Sequence, residues 1–194
     1  MPSPIAHAVS GYAISRAWPE RKTTLAIKNN DRETKRSIIL GAESWLTAYV
    51  IFVSVAADLD FVPQILTGDR YHHGPTHSIA FAIGTAIIAW LASRPFSTRK
   101  KAVQLGLLTL ALYGSHLMLD LVTQGGDGIQ LLWPFNQNYY QSPWLLFPST
   151  GWSKGWFDPQ HFIFLAFELG YSSLVLVGLS QLKSRKRKPL PNIK

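Results

Sequence analysis

Two aspartates one residue apart and three histidines crowd one short stretch of this chain, as Asp58-Leu59-Asp60 and His72-His73-Gly74-Pro75-Thr76-His77. A second group, His116 and Asp120, has the four-residue spacing that sets two side chains on one face of a helix. Imidazoles and carboxylates together suit zinc, manganese or iron(II), and a chain without cysteine cannot build a thiolate site. Adding His7 gives seven candidate metal ligands: His7, Asp58, Asp60, His72, His77, His116 and Asp120. A catalytic zinc takes three protein ligands and a water, so this set serves either one ion with its supporting residues or two ions clamping a phosphoryl group. In that reading Asp60 bridges the ions or acts as a base, and His73 or Arg70 steadies the negative charge of the substrate.

Each of these residues also has a plainer reading. Asp58 and Asp60 can end one helix and cap the next, His116 and Asp120 can pair inside a bundle, and Thr76 can cap a helix beginning near His77. His161 reads as an interfacial residue rather than a ligand, and Glu168 as the partner of another helix.

The elements that must position these groups are apolar. Of 194 residues 47% are hydrophobic and only 15% charged, against roughly 25% charged in ordinary soluble domains, which points to a membrane protein. Pro4 to Trp18 predicts a short helix of about 22 Å, less than a bilayer core of about 30 Å. Ser37 to Ala57, Ser78 to Ser93, Ala102 to Val122 and Phe162 to Leu182 are four further apolar runs of spanning or near-spanning length. The expectation is an all-α, multi-helix membrane bundle of about four to five apolar helices, with a metal site at the helix ends on one face. Residues 1–182 form its single domain and 183–194 a basic cytoplasmic tail.

The net charge of +8 is concentrated in Glu20 to Arg36, Arg94 to Lys101 and Lys183 to Lys188. Basic loops stay in the cytoplasm, so these stretches read as flanks of membrane helices, and no nucleic-acid partner is expected. The alternating junctions, Asp58 to His77 and Thr123 to Gln160, then face the other side, and all six histidines gather at that outer face. Thr123 to Gln160 is long, almost uncharged and aromatic, which suits a cover lying at the headgroup level over the site.

Taken with His7, Asp58-Leu59-Asp60 and His72-His73-Gly74-Pro75-Thr76-His77-Ser78, the runs Gly114-Ser115-His116-Leu117-Met118-Leu119-Asp120 with Thr123 and Leu131-Leu132-Trp133-Pro134-Phe135 carry a resemblance. The chain resembles the YdjM-like family of LexA-binding, inner-membrane-associated metal-dependent hydrolases, from its start to about residue 135. It departs from the family pattern at Ala57, Phe61 and His73. The His-x-x-x-Asp pair with an early histidine is also remotely similar to the all-helical zinc-dependent phospholipases C. The resemblance implies a multi-pass inner-membrane hydrolase holding one or two divalent ions, zinc first and manganese or iron as substitutes. The expected substrate is a phosphoester or other ester of a lipid-like molecule met in the bilayer, and a regulatory protein partner is a further expectation. The competing classes are a non-enzymatic regulatory membrane protein and a metal-binding transporter or sensor.

Overall fold

The computed structural model describes residues 3–18, 32–69, 71–149 and 158–185, with 32–42 and 183–185 described by their backbone alone. Arg70, most of the first basic loop, the aromatics Trp152, Trp156 and Phe157, and the tail beyond Arg185 lie outside the described residues. Six helices follow one another: α1 (Pro4–Ala17), α2 (Arg32–Val55), α3 (Phe61–Thr67), α4 (Ile79–Ser93), α5 (Arg99–Leu121) and α6 (Pro159–Arg185). The described residues form no strand, only two isolated bridges, so the all-α expectation holds. Among the described residues four stretches are long and apolar enough to cross a bilayer: Glu43–Thr67, Ile79–Phe96, Arg99–Leu121 and Pro159–Leu182. At 14 residues α1 is too short to be a fifth.

Local chemistry explains the helix boundaries. Ser3 Oγ accepts from the Ile5 amide, Pro4 occupies the first turn where no N–H is needed, and α1 ends before Pro19. The cap of α4 is Ser78, whose Oγ accepts from the Phe81 amide at 3.1 Å. The expected cap, Thr76, has instead turned its hydroxyl to Asp60. The chain also stays helical past the first aspartates: a 3-10 turn, Ala56–Asp60, joins α2 to α3 without a break. Pro63 permits this because it lies in the first turn of α3. Within the basic stretch Glu20 to Arg36, α2 is already helical from Arg32.

Pairings between helices fix their directions. Tyr49 meets Thr109 and the Ser54 carbonyl meets His116, so α2 and α5 run the same way. His7 stacks on His116, and a Cβ on Gly11 would come within 3.3 Å of Leu112, so α1 runs against α5. Phe81 faces Tyr113 and Gly106 faces Ala86, so α4 does too. The starts of α1 and α4 therefore share one layer with the ends of α2 and α5. Gly11 is required for this convergence, because a Cβ there would lie 1.8 Å from Ser54 Oγ. Glu168 of α6 does pair with another helix: its Oε1 accepts from the Ser3 amide at 2.7 Å.

Helix α5 packs against α1, α2 and α4, and its Leu112, Tyr113, Thr109 and His116 are almost wholly buried. The segment after α5 folds over the helix ends. Bridges tie Thr123 to Phe147 and Ile129 to Tyr140, Ile129 enters the core, and the Gln130 amide donates to the His73 carbonyl at 3.0 Å. Its Phe135 and Trp144 project outward, as membrane-surface aromatics do.

Candidate metal centre

Four side chains from three different elements meet at this layer. Asp58 comes from the 3-10 turn after α2, His77 from the turn before α4, and His116 and Asp120 from the last turns of α5. The Nε2 atoms of His77 and His116 are 3.3 Å apart. Asp120 Oδ2 is 3.3 Å from the first and 3.1 Å from the second, and Asp58 Oδ1 is 3.7 Å and 3.5 Å from the same two atoms. A tetrahedral zinc with bonds of about 2.0–2.2 Å has ligand–ligand edges of about 3.3–3.6 Å. Five edges of this quartet thus match the size of a metal cage.

The hydrogen bonds behind the quartet turn its lone pairs inward. A carbonyl can only accept, so His116 Nδ1–H donates to Ser54 O at 2.8 Å and leaves Nε2 as the coordinating nitrogen. His77 Nδ1 stands 3.1 Å from Asp60 Oδ2, the carboxylate–histidine arrangement that commonly orients metal ligands. Neither oxygen of Asp58 or Asp120 has a hydrogen-bond partner, although all four are buried. Two unpaired carboxylates in such a place cost several kcal/mol each unless a cation joins them. The donor set therefore fits a divalent ion, as composition alone suggested.

His77 responds to the same charges. Burial lowers its basicity, but the carboxylates of Asp120, Asp58 and Asp60 outweigh that and raise its pKa to about 11. His73 goes the other way, pushed down to about 3 by burial against the opposing pull of Asp120, with His72 and His77 lowering it further.

The seven predicted ligands are thus not equivalent. Asp58, His77, His116 and Asp120 form the quartet. His7 lies against it, fully buried, its ring stacked on His116 at 3.8 Å and its Nε2 3.6 Å from Asp120 Oδ1. Asp60 stands one layer out, accepting from Thr76 Oγ1 (2.7 Å), His72 Nδ1 (2.7 Å), the His73 amide (3.2 Å) and His77 Nδ1. Both of its oxygens are thus engaged by neighbouring donors. His72 is also in that layer, held by Asp60 and stacked on Phe61. His72, His73 and His77 are themselves close enough to hold an ion, but His77 already directs one nitrogen to Asp60 and the other to the quartet. His161 is not among the clustered residues.

Two supporting groups escaped the sequence reading, Ser54 and Tyr113. The Ser54 carbonyl orients His116, and Tyr113 O–H donates to the Thr76 carbonyl at 2.8 Å, fixing the loop that carries His77. A backbone acceptor has no sequence signature. Tyr113 lies three residues before His116, on the same helical face, and that spacing was a usable signal.

A bundle of apolar spans closed at one end by a His/Asp quartet defines a membrane protein with a cluster that could hold a metal ion. The chain belongs to the YdjM inner membrane protein family, whose model matches residues 1–183. This bears out the family resemblance and the inner-membrane assignment. The chain is also 33% identical over 73 residues to inner membrane protein YbcI of Escherichia coli (strain K12), a match covering 38% of this chain and 42% of that protein. It therefore spans less than half the length of that relative. No solved structure matches.

Proposed function

We propose that this protein is a membrane-embedded, metal-dependent hydrolase of an ester, a phosphoester in the first instance, in a lipid-like substrate. Zinc is the favoured ion, with manganese or iron(II) as substitutes. The observation that carries this reading is the quartet itself: four buried donors, two of them histidines aimed by Ser54 and Asp60, around a volume of ionic size. A divalent ion held there supplies Lewis acidity and lowers the pKa of a coordinated water. The chain's own residues fix the donors. Asp60 keeps the proton of His77 on Nδ1, and His73, neutral at pH 7, offers a lone pair or a hydrogen bond instead of a positive charge.

The lipid-like substrate is supported by a cavity of about 460 Å³ beside this layer. Leu59, Pro63 and Phe81 line it with apolar surface, Asp60, Thr76 and Thr85 add polar groups, and Leu59 and Phe81 are exposed. An alkyl chain suits such a groove. Purified protein in lipid nanodiscs, loaded with Zn(II) or Mn(II), is expected to hydrolyse members of a panel of phosphodiesters, phospholipids and lipid phosphates. Chelation or Asp120→Ala should reduce turnover to background. Stoichiometric metal without turnover on any of them would favour a metal-binding sensor or regulatory protein instead, a reading that gains support because four protein donors can close a tetrahedral zinc site.

We place the site on the non-cytoplasmic face. Arg94, Arg99, Lys100 and Lys101 lie at the turn between α4 and α5, at the opposite end of the bundle from the quartet. A reporter active only outside the cytoplasm should be active when fused at Gly126 and silent at the C-terminus. The reverse pattern overturns the orientation.

A further inference from the structure

The quartet leaves three buried atoms next to it unexplained. Asp120 gives Oδ2 to the quartet, while its Oδ1 is buried without a hydrogen bond, 3.6 Å from His7 Nε2. His7 is wholly buried, and neither of its ring nitrogens has a partner. Burying an imidazole without a hydrogen bond costs free energy, and the 3.6 Å approach to Asp120 Oδ1 is too long to be one. The stack on His116 would be served equally well by a phenyl ring.

We propose that His7 Nε2 and Asp120 Oδ1 hold a second divalent cation, with the Asp120 carboxylate bridging it to the ion in the quartet. The separation of 3.6 Å between the two named atoms is that of neighbouring ligands on one ion. The two positions differ in kind. The quartet offers its ion four protein donors, whereas the second position has two, so that other oxygens must complete its coordination. The second ion is therefore the weaker-held one. A bridged pair about 3.5–4 Å apart suits both oxygens of a phosphoryl group, which deepens the proposed hydrolase reading and rests on it for the substrate class.

Manganese(II) is the probe. Full-length wild-type protein in detergent, saturated with Mn(II) and freed of excess, should carry two equivalents by elemental analysis and give the electron paramagnetic resonance signal of a spin-coupled pair. His7→Phe keeps the stacked ring and removes both nitrogens, and His7→Gln serves as a second variant should the ring not fit. Either variant, folded by size exclusion and thermal unfolding, should fall to one equivalent with the hyperfine pattern of an isolated ion. One equivalent in the wild type, or two retained in both variants, overturns the second position and leaves the quartet standing. Absence of bound manganese in the wild type removes both positions, and a full complement without hydrolysis removes only the hydrolase reading.

Discussion

Asp120→Ala is expected to abolish tight metal binding, with the apparent Kd rising more than about a hundredfold, beyond the 10–100-fold loss typical of outer-layer partners. The reason is geometric. Asp120 Oδ2 lies 3.1 Å and 3.3 Å from the two Nε2 atoms of the quartet, so its removal leaves two imidazole lone pairs 3.3 Å apart with only Asp58 to complete the cage. The effect is large enough to read as stability. An ion present at a thousand times Kd stabilises the folded state by about 4.1 kcal/mol, and the same concentration acting on a site a hundredfold weaker gives about 1.4 kcal/mol. Thermal unfolding with and without Zn(II) should therefore show a large upward shift in the wild type and little in the variant. His116→Ala should behave in the same way. Glu168→Gln is the control: it alters another buried acid of the bundle, one engaged by the Ser3 amide, and should keep the full shift. An Asp120→Ala protein that shifts like the wild type would show that the quartet is not the metal site.

Much of this centre was legible because its residue types are costly where they stand. Histidine and aspartate four apart on an apolar helix are hard to explain in a membrane except by function, and His116 and Asp120 meet as that spacing requires. The helix directions followed from the order of apolar runs and basic turns, which is why His7, Asp58, His77 and His116 could be expected in one layer. Which carboxylate touches the ion and which stands behind was not legible, because Asp58 and Asp60 differ only in position on a turn. An uninterrupted helix would separate them by about 200°. The 3-10 geometry of Ala56–Asp60 instead sends Asp58 to the quartet and Asp60 to the loop of His72 to His77. The cap of α4 was missed for a related reason. Thr76 and Ser78 are both good caps, and the choice was made by Asp60, which takes the Thr76 hydroxyl.

Asp60→Asn separates the roles this residue could hold. Asp60 accepts four hydrogen bonds, from Thr76, His72, His73 and His77, with all four donors pointing at its two oxygens. An amide keeps one acceptor oxygen and turns an NH₂ towards donors, so the loop that presents His77 loosens and the proton of His77 is no longer held on Nδ1. For a positioning residue the expected result is a metal Kd weakened about 10–100-fold with unchanged stoichiometry at saturation. Asp60→Ala should go further and cost on the order of 3–5 kcal/mol of stability, as breaking a buried charged pair does. Elemental analysis and isothermal titration across both variants decide the matter. Loss of one equivalent at saturation would make Asp60 a ligand, as the sequence suggested. Unchanged affinity with a lowered kcat and an altered pH profile would make it a base. Only weakened affinity at full stoichiometry fits a carboxylate whose function is to aim His77.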